Sequence, residues 1–264
     1  MNREKDKMKR VVSGVVTVVL ASLAWCGLCL AADGPLLFDL ADNNLKISTF
    51  YNGTTLDVTG KVPADHDVVV QVSGPRKDVH LKEKGKVAGF LWMNKTDVSL
   101  ENTPAVYMIY TPIGRPAAAF LGPHLNVGYK ALLRDITISP ASADKAFIFA
   151  EYVKLMEKSG VYAINEGTVR YGEPNNGMKE FAATLTIPSK MSAGAYKVTA
   201  LAMHDGVVTN RVDKNLTLEL SGLPAVISSM AYGRPLLFGF MAVFIAIGAG
   251  LVVGFLFRGG GGAH

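Results

Sequence analysis

Five histidines, two cysteines and 22 carboxylates are the side chains from which this 264-residue sequence can build metal, redox or acid–base chemistry. Asp65-His66-Asp67 puts three metal-capable groups in succession. Neighbouring residues of one loop rarely converge on a single ion, and Pro63 with Ala64 marks a turn, so the triplet reads as a solvated loop. His80, His124, His204 and His264 are scattered, and His204-Asp205 falls at a predicted hairpin turn and need not be a catalytic pair. Cys26 and Cys29 have the C-x-x-C spacing of redox or metal sites. They lie, however, inside an apolar run that reads as part of a removable signal peptide. The mature chain is then expected to have no disulfide, thiol nucleophile, Cys-bound zinc, iron–sulfur cluster or c-type haem. No Gly-x-Ser-x-Gly elbow, phosphate loop, H-E-x-x-H or dinucleotide fingerprint occurs. The expectation is a non-enzyme, with no catalytic, cofactor-binding or metal-binding residues assigned.

Two further sets suit contacts rather than chemistry. Arg76, Lys77, Lys82, Lys84 and Lys86 gather on one predicted strand pair, with only Asp78 and Glu83 nearby. Such a set can attract an inorganic oxyanion or anionic lipid heads. It also fits a lysine-bearing strand edge that resists aggregation. Ala242, Ala246, Gly250 and Gly254 recur every four residues in the C-terminal apolar run. They form a stripe that lets another helix approach closely, from a membrane partner or a second copy.

The elements that carry these residues lie between two apolar ends. Met1–Arg10 is basic, Val11–Leu30 is apolar, and small residues precede Asp33, which predicts a signal peptide over 1–32 cleaved after Ala31 or Ala32. An uncleaved anchor is the alternative, since the run is long enough to span. That segment holds five of the 27 basic and two of the 22 acidic residues, leaving 22 against 20 in the remainder. A near-neutral domain has no global field for steering nucleic acid. Pro235–Phe257 carries no charge between Arg234 and Arg258 and predicts a transmembrane helix, followed by a cytoplasmic tail over 258–264.

Between the ends, short alternating segments predict a first β-sandwich-like domain over 33–112. Val68–Val72 is a nearly continuous β-branched run, and Val79–Leu81 and Val87–Met93 flank a hairpin loop expected at Lys82–Lys86. A linker and helix occupy 113–159. The helix runs over Ala143–Ser159, capped by Ser142 and ended by Gly160, with Phe147, Ala150 and Met156 facing inward. A second β-rich domain covers 160–222. In it Phe181–Ile187 and Tyr196–Met203 alternate, Asp205-Gly206 turns tightly into Val207–Val212, and Leu216–Leu220 is the last strand. Residues 223–234 are juxtamembrane. The expected fold class is mainly β, with one or two Ig-like β-sandwich regions, one intervening helix and a single-pass C-terminal membrane helix.

The ordered set Asp39-Leu40, Ile47–Phe50, Gly53, Asp67–Val70, Gly74-Pro75, Lys84–Gly89, Trp92 and Asn94 resembles an uncharacterised bacterial family of transmembrane proteins first described in Alphaproteobacteria. Gly160-Val161-Tyr162, Pro188, Gly194 and the Pro235–Arg258 anchor extend the resemblance over nearly the whole chain. Gly259 departs from it, standing where the family often has a second basic residue. The resemblance brings no activity or catalytic residues. It implies the inner membrane of a Gram-negative bacterium, a periplasmic main domain, and a sulfite-exporter-type permease as neighbour. The expected function is therefore a membrane-anchored periplasmic accessory or interaction protein. A free-standing Ig-like ligand-binding or adhesion module and an envelope enzyme of unrecognised type are the alternatives.

Overall fold

The computed structural model describes residues 35–48, 51–87, 90–140 and 144–257, apart from the side chains of 83–87, 91, 92, 95 and 96. The signal segment, the tail with Arg258, and the side chains of Lys84 and Lys86 lie outside the described residues. The strands, in chain order, are β1 (Leu37–Leu40), β2 (Asn44–Ile47), β3 (Thr54–Pro63), β4 (Asp67–Ser73), β5 (Arg76–Val87), β6 (Leu91–Pro104) and β7 (Tyr107–Pro112). They continue as β8 (Thr137–Ser139), β9 (Tyr162–Tyr171), β10 (Met178–Ile187), β11 (Gly194–His204) and β12 (Val207–Leu220). The helices are α1 (Tyr129–Asp135), α2 (Lys145–Ser159), α3 (Leu223–Gly233) and α4 (Pro235–Phe257).

The fold is mainly β, as its alternating residues require. Along β3, Leu56, Val58 and Val62 are buried while Thr55, Asp57 and Lys61 face solvent. Phe181, Ala183, Leu185 and Ile187 do the same on β10, its partner. Nine strands form one curled mixed sheet in the order β1-β3-β10-β9-β7-β4-β11-β12-β2. Pairing is parallel only at β7–β9 and β12–β2. A separate antiparallel sheet has the order β5-β6-β8.

This order interleaves the segments expected as two domains. β3 and β4, from 33–112, lie beside β10 and β11, from 160–222, and all contribute to one hydrophobic core. The curl brings β7 over β10. The Tyr110 hydroxyl donates to the Thr186 carbonyl at 3.1 Å and accepts from the Thr186 amide at 3.1 Å. Every residue of β7 is buried because its second face is covered as well. There Tyr107 lies 6.1 Å from the Tyr129 ring of α1, and its hydroxyl accepts from the Gly128 amide at 3.0 Å. Strands covered on both faces read as unbroken apolar runs, which accounts for Val68, Val69, Val70 and Val72.

Local boundaries moved where tertiary contacts overrode sequence punctuation. Lys82–Lys86, expected as a hairpin loop, belongs to β5, and the turn to β6 falls beyond Val87. A long ribbon can carry polar residues on both faces, so charge there does not imply a loop. Helix α2 begins at Lys145 and is capped by the Asp144 side chain, which accepts from the Phe147 amide at 3.1 Å; Ser142 and Ala143, expected as the cap and first residue, lie outside the described residues. Its buried face is Phe149, Tyr152 and Val153; Phe147 is 58% exposed and Ala150 is also exposed. The inward stripe is rotated because the Tyr152 ring packs edge-on against Tyr162 of β9 at 5.9 Å. Gly160 ends α2 as expected, at φ 79°.

Candidate functional site

The β4–β11 register creates a polar pole at one end of the sheet. Met203 pairs with Asp67, the last pair of that ladder. One step further along the same antiparallel register sets His204 opposite His66. Cross-strand neighbours have Cβ atoms about 4.5–5.5 Å apart. The two imidazoles stack accordingly, with centroids 4.8 Å apart and planes 24° from parallel. A bulge between Ala202 and Met203 on the β11–β12 side bends the strand just before His204. Asp205 at φ 48° and Gly206 at φ 75° then close the tight turn in the left-handed region, as an Asp-Gly pair can.

Asp65 ties the two rings together. His66 Nδ1 lies 2.8 Å from Asp65 Oδ1, and His204 Nδ1 lies 3.5 Å from Asp65 Oδ2. His204 Nδ1 is also 3.2 Å from the Asp65 carbonyl, and its Nε2 is 3.4 Å from Asp205 Oδ2. The hydrogen bond from His66 holds the Asp65 carboxyl below the usual carboxylate range, with both imidazoles adding to the effect. His66 is only 3% exposed, whereas the Asp65 side chain is 64% and the His204 side chain 39% exposed. One donor atom from each of the three residues falls within 4.8 Å of the others. The expected solvated loop at 65–67 is thus half right: Asp65 is exposed, but His66 is a buried stacking partner.

Beside this trio, Asp67 forms an ion pair with Arg115. The Tyr171 hydroxyl accepts from the Val68 amide at 2.7 Å and lies 3.4 Å from Asp67 Oδ1. Burial pushes its phenol up. Lys179 sits 4.1 Å above the Tyr171 ring, and burial pulls its ammonium down, opposed by Asp67 and Asp65. The Arg115 charge is thereby spent on Asp67, which leaves Asp65 to the histidines.

The basic set on β5 is partly committed to neighbouring carboxylates. Arg76 lies 3.6 Å from Asp135 and donates to the Asn102 carbonyl at 3.0 Å, and Lys82 lies 3.8 Å from Asp97. Lys77 is exposed with no ion pair among the described residues. A groove of about 780 Å³ crosses β1, β3, β9 and β10. Arg170 lines it too, and both of its carboxylates are taken up by lysines, Glu180 by Lys61 at 2.9 Å and Asp39 by Lys214 at 3.4 Å.

At the opposite end of β12 the chain enters α3, then breaks at Arg234 and starts α4 with Pro235. At 1.5 Å per residue the 23 residues of α4 reach about 34 Å, against a hydrocarbon core of about 30 Å. None of the helix's most apolar window is buried against the rest of the chain, and no acidic or basic side chain interrupts it. Ala242, Ala246, Gly250 and Gly254 advance by about 40° at each four-residue step, which keeps them on one stripe. A Cβ added at Gly250 or Gly254 meets nothing within 4 Å, so the small side chains are not required by contacts inside the protein.

A family described as "Putative transmembrane protein (Alph_Pro_TM)" matches residues 35–259. The chain belongs to this family. The match takes in both the β-rich region and α4, the one candidate membrane span among the described residues. No curated protein matches the sequence. The Asp65–His66–His204 trio escaped sequence reasoning because its members come from turns 138 residues apart. The available signal was that both turns flank the matching ends of two buried strand runs.

Proposed function

We propose that this chain is a membrane-anchored accessory protein whose β-rich region works beside an integral membrane partner gripped through α4. The observation that carries the reading is the surface of α4, which is exposed along its length and has an uncommitted stripe of small residues. In hydrocarbon, apolar side chains gain nothing by hiding from lipid, so helices associate through close packing at small residues. A partner helix laid along a four-residue stripe crosses at about −40°. The reading sets the β-rich region in the periplasm and the C-terminus in the cytoplasm. The partner class implied by the family resemblance is a sulfite-exporter-type permease. The role is contact rather than catalysis.

The test is capture of the intact protein from its native membrane in mild detergent. A permease should co-purify with the parent and be lost from the Gly250→Leu/Gly254→Leu variant, while far-UV circular dichroism of the β-rich region stays unchanged. Equal recovery with both proteins, or no integral membrane protein above an untagged control, sinks the reading.

A further inference from the structure

The geometry points to a divalent metal site at the membrane-distal end of β12, formed by Asp65, His66 and His204, that takes a borderline late transition ion such as Zn²⁺ or Cu²⁺. Two imidazoles and one carboxylate are a donor set suited to these ions and not to Mg²⁺ or Ca²⁺, which prefer all-oxygen shells. The spacing agrees. Ligand atoms bound tetrahedrally at about 2.0–2.1 Å stand about 3.3 Å from one another. The two oxygens of Asp65 already lie 2.8 Å and 3.5 Å from the Nδ1 atoms of His66 and His204.

The trio is also held as a binding site must be. His66 is fixed by burial and by its place next to β4, His204 by the ring stack and the bulge, and Asp65 by both rings. For His66 to ligate through Nδ1 that atom must carry no proton, which puts the proton of the neutral ring on Nε2. Three protein ligands leave the rest of the coordination sphere to water or an external ligand on the exposed side, where Asp65 and His204 face solvent. Strand β12 carries the chain about 45 Å from this pole to the start of α3, so the site lies apart from the α4 stripe and does not depend on it.

The experiment uses full-length, untagged protein in detergent, with any thiols alkylated, titrated with zinc chloride and separately with copper(II) sulfate. One equivalent should bind. His204→Ala and Asp65→Ala should each weaken binding by at least about tenfold, since even loss of an outer partner costs a metal site 10–100-fold. His124→Ala and magnesium chloride are the controls, expected to leave binding unchanged and to give none, respectively. Copper(II) electron paramagnetic resonance should report two coordinating imidazole nitrogens in the parent and one in His204→Ala. Asp65 and His204 are exposed enough for both variants to fold, which circular dichroism checks. No stoichiometric uptake, or uptake equally tight in His204→Ala and Asp65→Ala, overturns the site.

Discussion

Gly60 lies on the inward face of β3, where the alternation of Leu56, Val58 and Val62 calls for an apolar side chain. Its hydrogen leaves room for the Phe181 ring of β10 on one side and the backbone of β1 on the other. A methyl group at this position would stand 2.1 Å from the Leu37 carbonyl oxygen and 2.4 Å and 2.5 Å from two Phe181 ring carbons. The ring can rotate, but the carbonyl belongs to a strand paired through Leu37–Lys61 and Phe38–Gly60 and has to shift by about 1 Å. Overpacking of this kind costs about 1–3 kcal/mol, and the backbone obstacle puts Gly60→Ala near the top of that range. For a region of this size each kcal/mol lowers the melting temperature by about 2–4 °C, so Gly60→Ala should melt about 6–12 °C below the parent. Thermal unfolding of the full chain, followed by far-UV circular dichroism, reads this directly. Phe181→Leu in the same background removes the ring overlap but not the carbonyl overlap. The double variant should therefore be less destabilised than the sum of the two single variants. A Gly60→Ala protein that melts within about 1 °C of the parent would refute the account of the β1–β3–β10 contact.

Tyr110→Phe removes the hydroxyl that serves both the amide and the carbonyl of Thr186, and should cost about 1–3 kcal/mol through the loss of two hydrogen bonds, measured by urea unfolding. Burial pushes the Tyr110 phenol up to about 12, so the folded state holds its proton more tightly than the unfolded chain, where the value is near 10. Its contribution is fully present below about pH 10 and is lost as pH rises towards about 12; ultraviolet difference absorbance should show phenolate appearing together with unfolding, and early non-cooperative ionisation of the buried tyrosines would contradict this. Asp144→Ala deletes the α2 cap and should lower stability by about 1 kcal/mol, whereas replacement of Ser142 by Ala should change it little. Comparison of the two melting curves separates the assignments.

The legible parts of this protein were those governed by neighbours in sequence. The alternation in Phe181–Ile187, the Asp205-Gly206 turn and the Gly160 helix end depend on residues within a few positions of one another, and each appears where expected; Tyr196–Met203 is a strand, but Val198–Met203 are buried without alternation. Val207–Val212 and Leu216–Leu220, expected as separate segments, are one unbroken strand that includes the polar stretch Asp213–Asn215. In the folded chain that stretch is ladder: Asp213 faces Thr199 and accepts from its hydroxyl at 2.7 Å. Of the residues expected on the inward face of α2, Phe147 and Ala150 are exposed, while Met156 packs against the core. The weakly amphipathic sequence of the helix permits more than one stripe, and Tyr162 on a distant strand selects one.

By itself the sequence determined that the chain is mainly β and carries one span-length apolar helix, because alternation and an uninterrupted 23-residue charge-free run are properties of the local chain. Only the tertiary structure decided that the strands before and after α2 share one sheet, and that His66 and His204 meet over Asp65. Strand pairing joins residues far apart along the chain, and its register is set by which buried faces fit together, which no local pattern encodes.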